Sequence, residues 1–403
     1  MSRPARRFPP GYWTIWTTVA VDLVGFGIVA PLLPLYAKRF GATGFVGGLL
    51  FSSFSLAQFV CAPLLGRLSD RMGRKPVIVL SLFGTAIGCF LTAAANGLPL
   101  LFLGRVIDGA SGASVAVAQS AVADLAAPED RPRLLGMLGA AFGVGFVIGP
   151  AIGGLASVRP ALPFVVAGVI AAVNGVAAIV RLPETRAAGA VQRSPEHRLA
   201  GLVDATVHRR SLGVLLLVMF AATCAFSGFE ATFSRFGGVR FGLTLGSAAV
   251  VFVGIGLFLT LVQGGLVGPV TSALGHRRAY TLGLSLSGLG LVLLAAATTW
   301  WLLVPALAAL AFGQGVAAPT LTSLVVDRVP PDQRGQALGF QQSAGALARI
   351  VGPAVAGKLF DVRVPLPYLV GAGLTLAALG LLASDRSPAG AGAPTSEPQP
   401  TRP

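Results

Sequence analysis

The amino-acid sequence predicts an all-α membrane protein of twelve transmembrane helices in two pseudo-symmetric six-helix bundles. Three observations lead there. Apolar runs of about 18 residues or more recur along the chain, and that length crosses a bilayer core of ~30 Å. Only 11% of the 403 residues are charged and mean hydropathy is +0.78, whereas a soluble domain carries about 25% charged residues. The second half also repeats the first at a constant spacing of 203 residues.

The spans read as 12–36, 44–65, 77–95, 98–123, 134–157 and 163–180, then 212–234, 244–268, 279–297, 300–326, 336–359 and 366–383. The first follows Arg3, Arg6 and Arg7 and mimics a secretory signal. However, it is too long, contains Asp22 and lacks a small-residue cleavage site. Spans two and three flank the charged stretch GRLSDRMGRKP, Gly66 to Pro76. Span four carries Arg105 and Asp108. Span five carries Gly145, Gly149 and Gly153 four residues apart on one face, with Pro150 adding a kink. A basic segment, 181–211, joins residues 1–180 to residues 212–383, and 384–403 has the composition of a disordered tail.

The repeat is specific. Asp124, Pro128, Arg131, Gly136, Gly149 and Pro150 match Asp327, Pro331, Arg334, Gly339, Gly352 and Pro353. The same spacing sets Gly25-Phe26 on Gly228-Phe229 and Arg74-Lys75 on Arg277-Arg278, and turns the span-five ridge into Ala348, Gly352 and Ala356. Six spans per half make the halves parallel repeats, which in transporters face each other across a midplane site.

The net charge of +15 is topology, not nucleic-acid affinity. With the N-terminus inside, 21 of the 30 Lys and Arg fall in cytoplasmic segments and seven outside. That bias puts both termini in the cytoplasm. Cys61, Cys89 and Cys224 fall in spans without paired spacing and read as packing. No nucleophile–base pair, metal cluster or phosphate loop is visible, so no enzyme is expected. His197, His208 and His276 all fall in cytoplasmic loops.

Six plus six spans with a basic central loop resembles the major facilitator superfamily. Gly66, Leu68, Asp70, Arg71, Gly73, Arg74 and Lys75 match its loop pattern G-x-L-x-D-R-x-G-R-[KR]. In that family the loop is a cytoplasmic latch. The resemblance implies that Gly66 admits a close backbone, that Asp70 faces the start of span eleven near Gly335, and that Arg74 or Arg71 pairs with Asp124. The second copy, GPVTSALGHRR, lacks the aspartate. GVGFVIGPAIGG in span five, DLVGFGIVAPLLPLY in span one and QQSAGALARIVGP in span eleven resemble the twelve-helix drug:proton antiporters of the tetracycline-efflux type.

Intramembrane ionisable residues are costly and mark function. Asp22 lies ~15 Å into span one at 1.5 Å per residue, and Arg105 and Asp108 reach similar depth in span four. Arg105 and Asp108 are neighbours at i, i+3. Arg105, with Gly109, matches the family's R-x-x-x-G, while Asp108 stands where glutamine is common. Burial disfavours a carboxylate's charge and a nearby guanidinium favours it, so two carboxylates sharing one Arg leave one free to exchange a proton. A static Arg–Asp bridge between spans one and four is the competing reading. Glu230 in span seven counts ~27 Å deep, near the outer surface. It reads as a cavity acid, a partner of Arg235, or an interfacial residue, and Arg349 is a further partner. Phe26, Gln119, Gln314, Gln341 and Arg349 are the substrate-cavity candidates. Phenylalanines outnumber tyrosines 24 to 4, which suits lipophilic compounds better than sugars.

The expectation is therefore a monomeric, proton-coupled exporter of small amphipathic molecules in the bacterial-type inner membrane. Its partners are substrate and lipid bilayer, not nucleic acid, and it needs no cofactor beyond protons as coupling ion. Transport of a metabolite or sugar, or a non-transporting scaffold on the same fold, are the alternatives.

Overall fold

Lipid offers no hydrogen-bond partners, so a spanning backbone must satisfy itself, and a helix does so within one segment. The computed structural model describes residues 8–112, 114–126, 130–185, 210–329 and 334–385. Among them all regular structure is helical. The first half forms α1 (Tyr12–Lys38), α2 (Gly44–Met72), α3 (Arg74–Ala93), α4 (Leu98–Ser111), α5 (Ser114–Leu125), α6 (Arg131–Ala156) and α7 (Leu162–Arg181). The second forms α8 (Arg210–Phe241), α9 (Leu245–Leu261), α10 (Val267–Ala296), α11 (Trp300–Asp327), α12 (Arg334–Val362) and α13 (Leu366–Ser384). Nine stretches among the described residues are long and apolar enough to cross a membrane. The chain is thus an all-α, multi-spanning membrane protein. Most of the expected 181–211 link and nearly all of the tail lie outside the described residues.

Local chemistry sets the helix starts. Pro99, Pro132, Pro163 and Pro367 occupy the first turns of α4, α6, α7 and α13. There a missing N–H costs nothing and the fixed φ suits a helix. The Thr43 side chain accepts from Val46 N–H at the start of α2, and Thr244 and Ser247 form a reciprocal capping box on α9.

Two expected boundaries are corrected. The stretch 66–76 is not a loop: α2 runs to Met72 and α3 begins at Arg74. Charged residues at a membrane surface extend a helix readily, so only Gly73 breaks it, at φ 105° and ψ 162°, a region open essentially to glycine. The expected span four stands as one apolar stretch, Leu98–Leu125, long enough to cross a membrane; in it α4 ends at Ser111, Gly112 N–H turns back to the Gly109 carbonyl at 3.0 Å, and α5 is described from Ser114. The connection between spans eight and nine is also helical. A π-helical turn at Val262–Leu266 leads into α10, which is broken at Gly275 with φ 73° and ψ 161°, close to the geometry of Gly73.

Each half has an apolar core at either end. Ile15, Leu82, Val122 and Leu134 pack at the Gly73 end of the first half, and Ile28, Leu32, Leu101 and Phe164 at the Lys38 end. In the second half Leu215, Tyr280 and Leu324 form one cluster and Phe233, Phe236, Leu303 and Tyr368 the other. Close contacts between the halves gather towards the Lys38 end. A Cβ on Gly48 of α2 would overlap the Pro353 carbonyl of α12, and one on Gly154 of α6 would come 2.8 Å from the Ala249 Cβ of α9. The Ser234 hydroxyl of α8 donates to the Pro31 carbonyl of α1, and Ser52 donates to the Ile350 carbonyl at 2.6 Å.

Candidate functional site

The buried charges sit where α1, α2, α3 and span four meet. Gly88 of α3 lets Asp108 approach: a Cβ there would come 2.7 Å from the Asp108 Cβ. Arg105 Nη1 donates to Asp108 Oδ2 at 2.6 Å, both being buried. The guanidinium lies 4.4 Å from the Phe54 ring centroid, and Phe54 in turn meets Phe26 at 6.0 Å. Arg105 Nε is buried with no hydrogen-bond partner among the described residues.

Asp22 is placed differently from expectation. Arg105 was to be its partner; instead the Ser114 hydroxyl donates to Asp22 Oδ2 at 2.5 Å. The reason is local. Asp108 lies one turn from Arg105 on the same helix and captures it, while Phe54 and Gly88 hold that pair on the α2–α3 side. Asp22 is left to Ser114 of α5. Close by in the chain, the Gly112 carbonyl accepts from Gln58 Nε2 at 2.7 Å.

The helix that carries Glu230 runs past the expected end at 234 to Phe241, which places Glu230 eleven residues, ~16 Å, before that end. Arg235 is not its partner: its Nη1 donates to the Ala42 carbonyl at 2.7 Å. Arg349 is the charge that acts on Glu230, without a direct ion pair. Among the other cavity candidates, Gln119 and Gln314 are half-buried. Gln341 donates to Thr322 Oγ1 at 3.0 Å, and its own carbonyl oxygen is buried without a partner among the described residues.

The span-five ridge packs on α1. Built Cβ atoms on Gly145 and Gly149 would come 2.6 Å from Leu23 O and from Gly27, and one on Gly153 would come 3.1 Å from Leu32. Pro150 sits inside α6 beside this contact. In the second half Gly352 meets Cys224 in the same way.

At the Gly73 end, Arg74 gathers three acceptors: Asp124 at 3.0 Å, Asp70 at 2.6 Å and Ser69 Oγ at 2.8 Å. Glu184, not singled out in the sequence, accepts from the N–H groups of Arg74 and Lys75 at 2.9 and 3.2 Å, capping α3 with a carboxylate. Arg71 is exposed beside them. Gly66 has open space around it among the described residues, with nothing within 4 Å of a built Cβ, not the close backbone expected. Residues 330–333, just before the segment expected to face Asp70, lie outside the described residues. The second copy carries a register correction. His276, not Arg277, takes the place of Arg74: its Nδ1 lies 2.9 Å from Asp327 Oδ2. Arg277 instead donates to the carbonyls of Leu382 and Asp385 at the end of α13. Among the described residues no group of three His, Cys, Asp or Glu could hold a metal ion.

Known proteins share this architecture. The chain is 35% identical over 381 residues to the class E tetracycline resistance protein of Escherichia coli, covering 90% of this chain and 92% of that protein. It is 32% identical over 374 residues to the class C protein of the same organism, covering 91% and 94%. Among solved structures, the human organic anion transporter MFSD10 (TETRAN) superposes with a TM-score of 0.72 at 28% identity, covering 93% of this chain and 100% of that one. The family description Major Facilitator Superfamily matches residues 15–268 and 255–403. The chain, a secondary-active transporter related to efflux proteins, belongs to the Major Facilitator Superfamily.

Proposed function

We propose that this transporter exports small lipophilic or amphipathic compounds in exchange for protons, by alternating access between two six-helix bundles, residues 1–180 and 212–383. One observation carries the reading. Asp22 is an intramembrane acid whose hydrogen-bond donor is a neutral serine, because the neighbouring Arg105 is taken by Asp108. A membrane acid held by a hydroxyl can gain and lose a proton without breaking an ion pair. Glu230 and Arg349 form a second charged locus in the opposite half, and Phe26, Gln119, Gln314 and Gln341 are the candidates to meet substrate between them. The tetracycline resistance relatives support export of a drug-like substrate.

The basic Gly73 end faces the cytoplasm in this reading, as the positive-inside rule requires. The Lys38 end, where the halves meet, is then the outer one, and the structure is inward-facing. Asp70, Arg71, Gly73, Arg74 and Asp124 form the half of a cytoplasmic latch that waits for the other bundle. The protein works as a monomer in the inner membrane, with protons as its coupling ion.

The test is a substrate-panel efflux assay in a pump-deficient bacterial host, tetracyclines first, with and without a protonophore. Efflux that stops when the proton gradient collapses is expected. Efflux that persists would refute the coupling.

A further inference from the structure

The first four N–H groups of a helix have no partner within it. In α9 the chain supplies them locally: Thr244 and Ser247 cap each other and Ala248 N–H reaches the Thr244 carbonyl at 2.9 Å. The start of α2 is different. Thr43 serves Val46 and Gly47, at 3.3 and 3.0 Å. Gly44 and Phe45 are served from 316 or more residues away: Gly44 N–H donates to Asp361 Oδ1 at 2.5 Å and Phe45 N–H to Oδ2 at 2.8 Å. A single carboxylate at the end of α12 therefore completes the N-terminus of a helix in the other half. A built Cβ on Gly44 would come 2.6 Å from the Gly357 carbonyl, so only glycine allows this approach.

Two further cross-half contacts surround it. Arg235 of α8 holds the Ala42 carbonyl just before α2, and Arg235 and Asp361 attract each other. Lys358 Nζ lies 5.9 Å from the Phe45 ring centroid. Asp361 is nevertheless exposed to solvent. Water can replace the carboxylate when the helices part, so the contact is strong enough to bias a conformation and weak enough to release.

We propose that Asp361 is the latch of the gate at the Lys38 end, holding α2 against α12 through the N-terminal charge of α2. The repeat has no second copy of it, since position 158 is valine and position 247 is serine. The latch acts on one helix pair only. The inference rests on the alternating-access reading and names the group that sets the resting state.

The experiment reads the gate directly. Spin labels go on Lys38→Cys and Arg363→Cys in a chain with Cys61, Cys89 and Cys224 replaced by alanine. Distance distributions are measured by double electron–electron resonance in lipid nanodiscs. The expected result is a mainly short distance for the otherwise unmodified chain. Asp361→Asn should raise the ratio of long to short about tenfold, the scale of a charge lost from a partly buried helix terminus. Asp361→Glu, which keeps the charge, should stay near the parent. Unchanged distances in Asp361→Asn, or equal shifts in both variants, would overturn the latch. Failure of Asp361→Asn to fold would overturn it too, since the group would then be a structural clamp. A parent with one fixed distance under every condition would contradict alternating access itself. Two distances with an unresponsive Asp361→Asn would contradict the latch alone.

Discussion

Replacing Arg105 with methionine leaves Asp108 without its counter-charge. The two side chains are 4% and 10% exposed and 2.6 Å apart, so water cannot take the place of the guanidinium. Removing one partner of such a pair costs roughly 3–5 kcal/mol. The double variant Arg105→Met/Asp108→Leu removes both charges at similar volume, a change that is often neutral or even stabilising. It does lose the cation–π contact with Phe54, worth ~0.5–2 kcal/mol. The double variant should therefore fall within about 2 kcal/mol of the parent, well above the single. Thermal unfolding of protein purified with Cys61 and Cys224 replaced by alanine, in nanodiscs and followed by a thiol-reactive dye that reports the buried Cys89, measures all three. A single variant as stable as the parent would refute the reasoning, because the pair would then be solvated. Transport decides what the pair is for. A well-folded double variant that still drives uphill efflux would make it a static bridge; one that folds but fails to accumulate substrate would make it part of the coupling site.

Gly73→Ala should destabilise the protein by ~1–3 kcal/mol, because φ 105° is closed to alanine and Glu184 already crowds the position; an unchanged unfolding midpoint would argue that the junction relaxes freely. Asp70→Asn should leave folded yield intact and lower efflux several-fold, since the carboxylate is half-exposed and paired only locally in this state; parent-level efflux would reduce the charged stretch to a topology anchor. Single cysteines at Lys38 and Arg278 should label with a membrane-impermeant reagent from opposite sides, Lys38 from outside; labelling from one side would break the span count.

The sequence reading reached the helices and the repeat because both are written in local pattern: hydropathy sets the spans, and identical side chains recur at one spacing. It found Arg105, Asp108 and Asp22 because charge in an apolar run is visible by itself. It gave Asp22 to Arg105, where the structure has Ser114, because pairing across helices depends on which face each helix turns inward. Ser114, Glu184 and Asp361 escaped for the same reason: their partners lie 92, 110 and 316 residues or more away, at Asp22, Arg74 and Phe45. Two signals were present all the same. The run DGASGAS around Gly112 is a cluster of breaker residues inside an apolar span. Aligning Gly73 with Gly275 moves the register by one and puts His276, not Arg277, opposite Arg74. The 203-residue spacing hid that shift because it holds on both sides of the junction.

The central claim is that Asp22 carries the proton. Purified Asp22→Asn, reconstituted in liposomes with an imposed pH gradient, tests it most directly. The amide keeps the shape of the side chain and accepts a hydrogen bond from Ser114, so folding and substrate binding should match the parent. Uphill transport driven by the gradient should fall to background. Normal gradient-driven transport by Asp22→Asn would contradict the account and pass the role to Glu230 or Asp108.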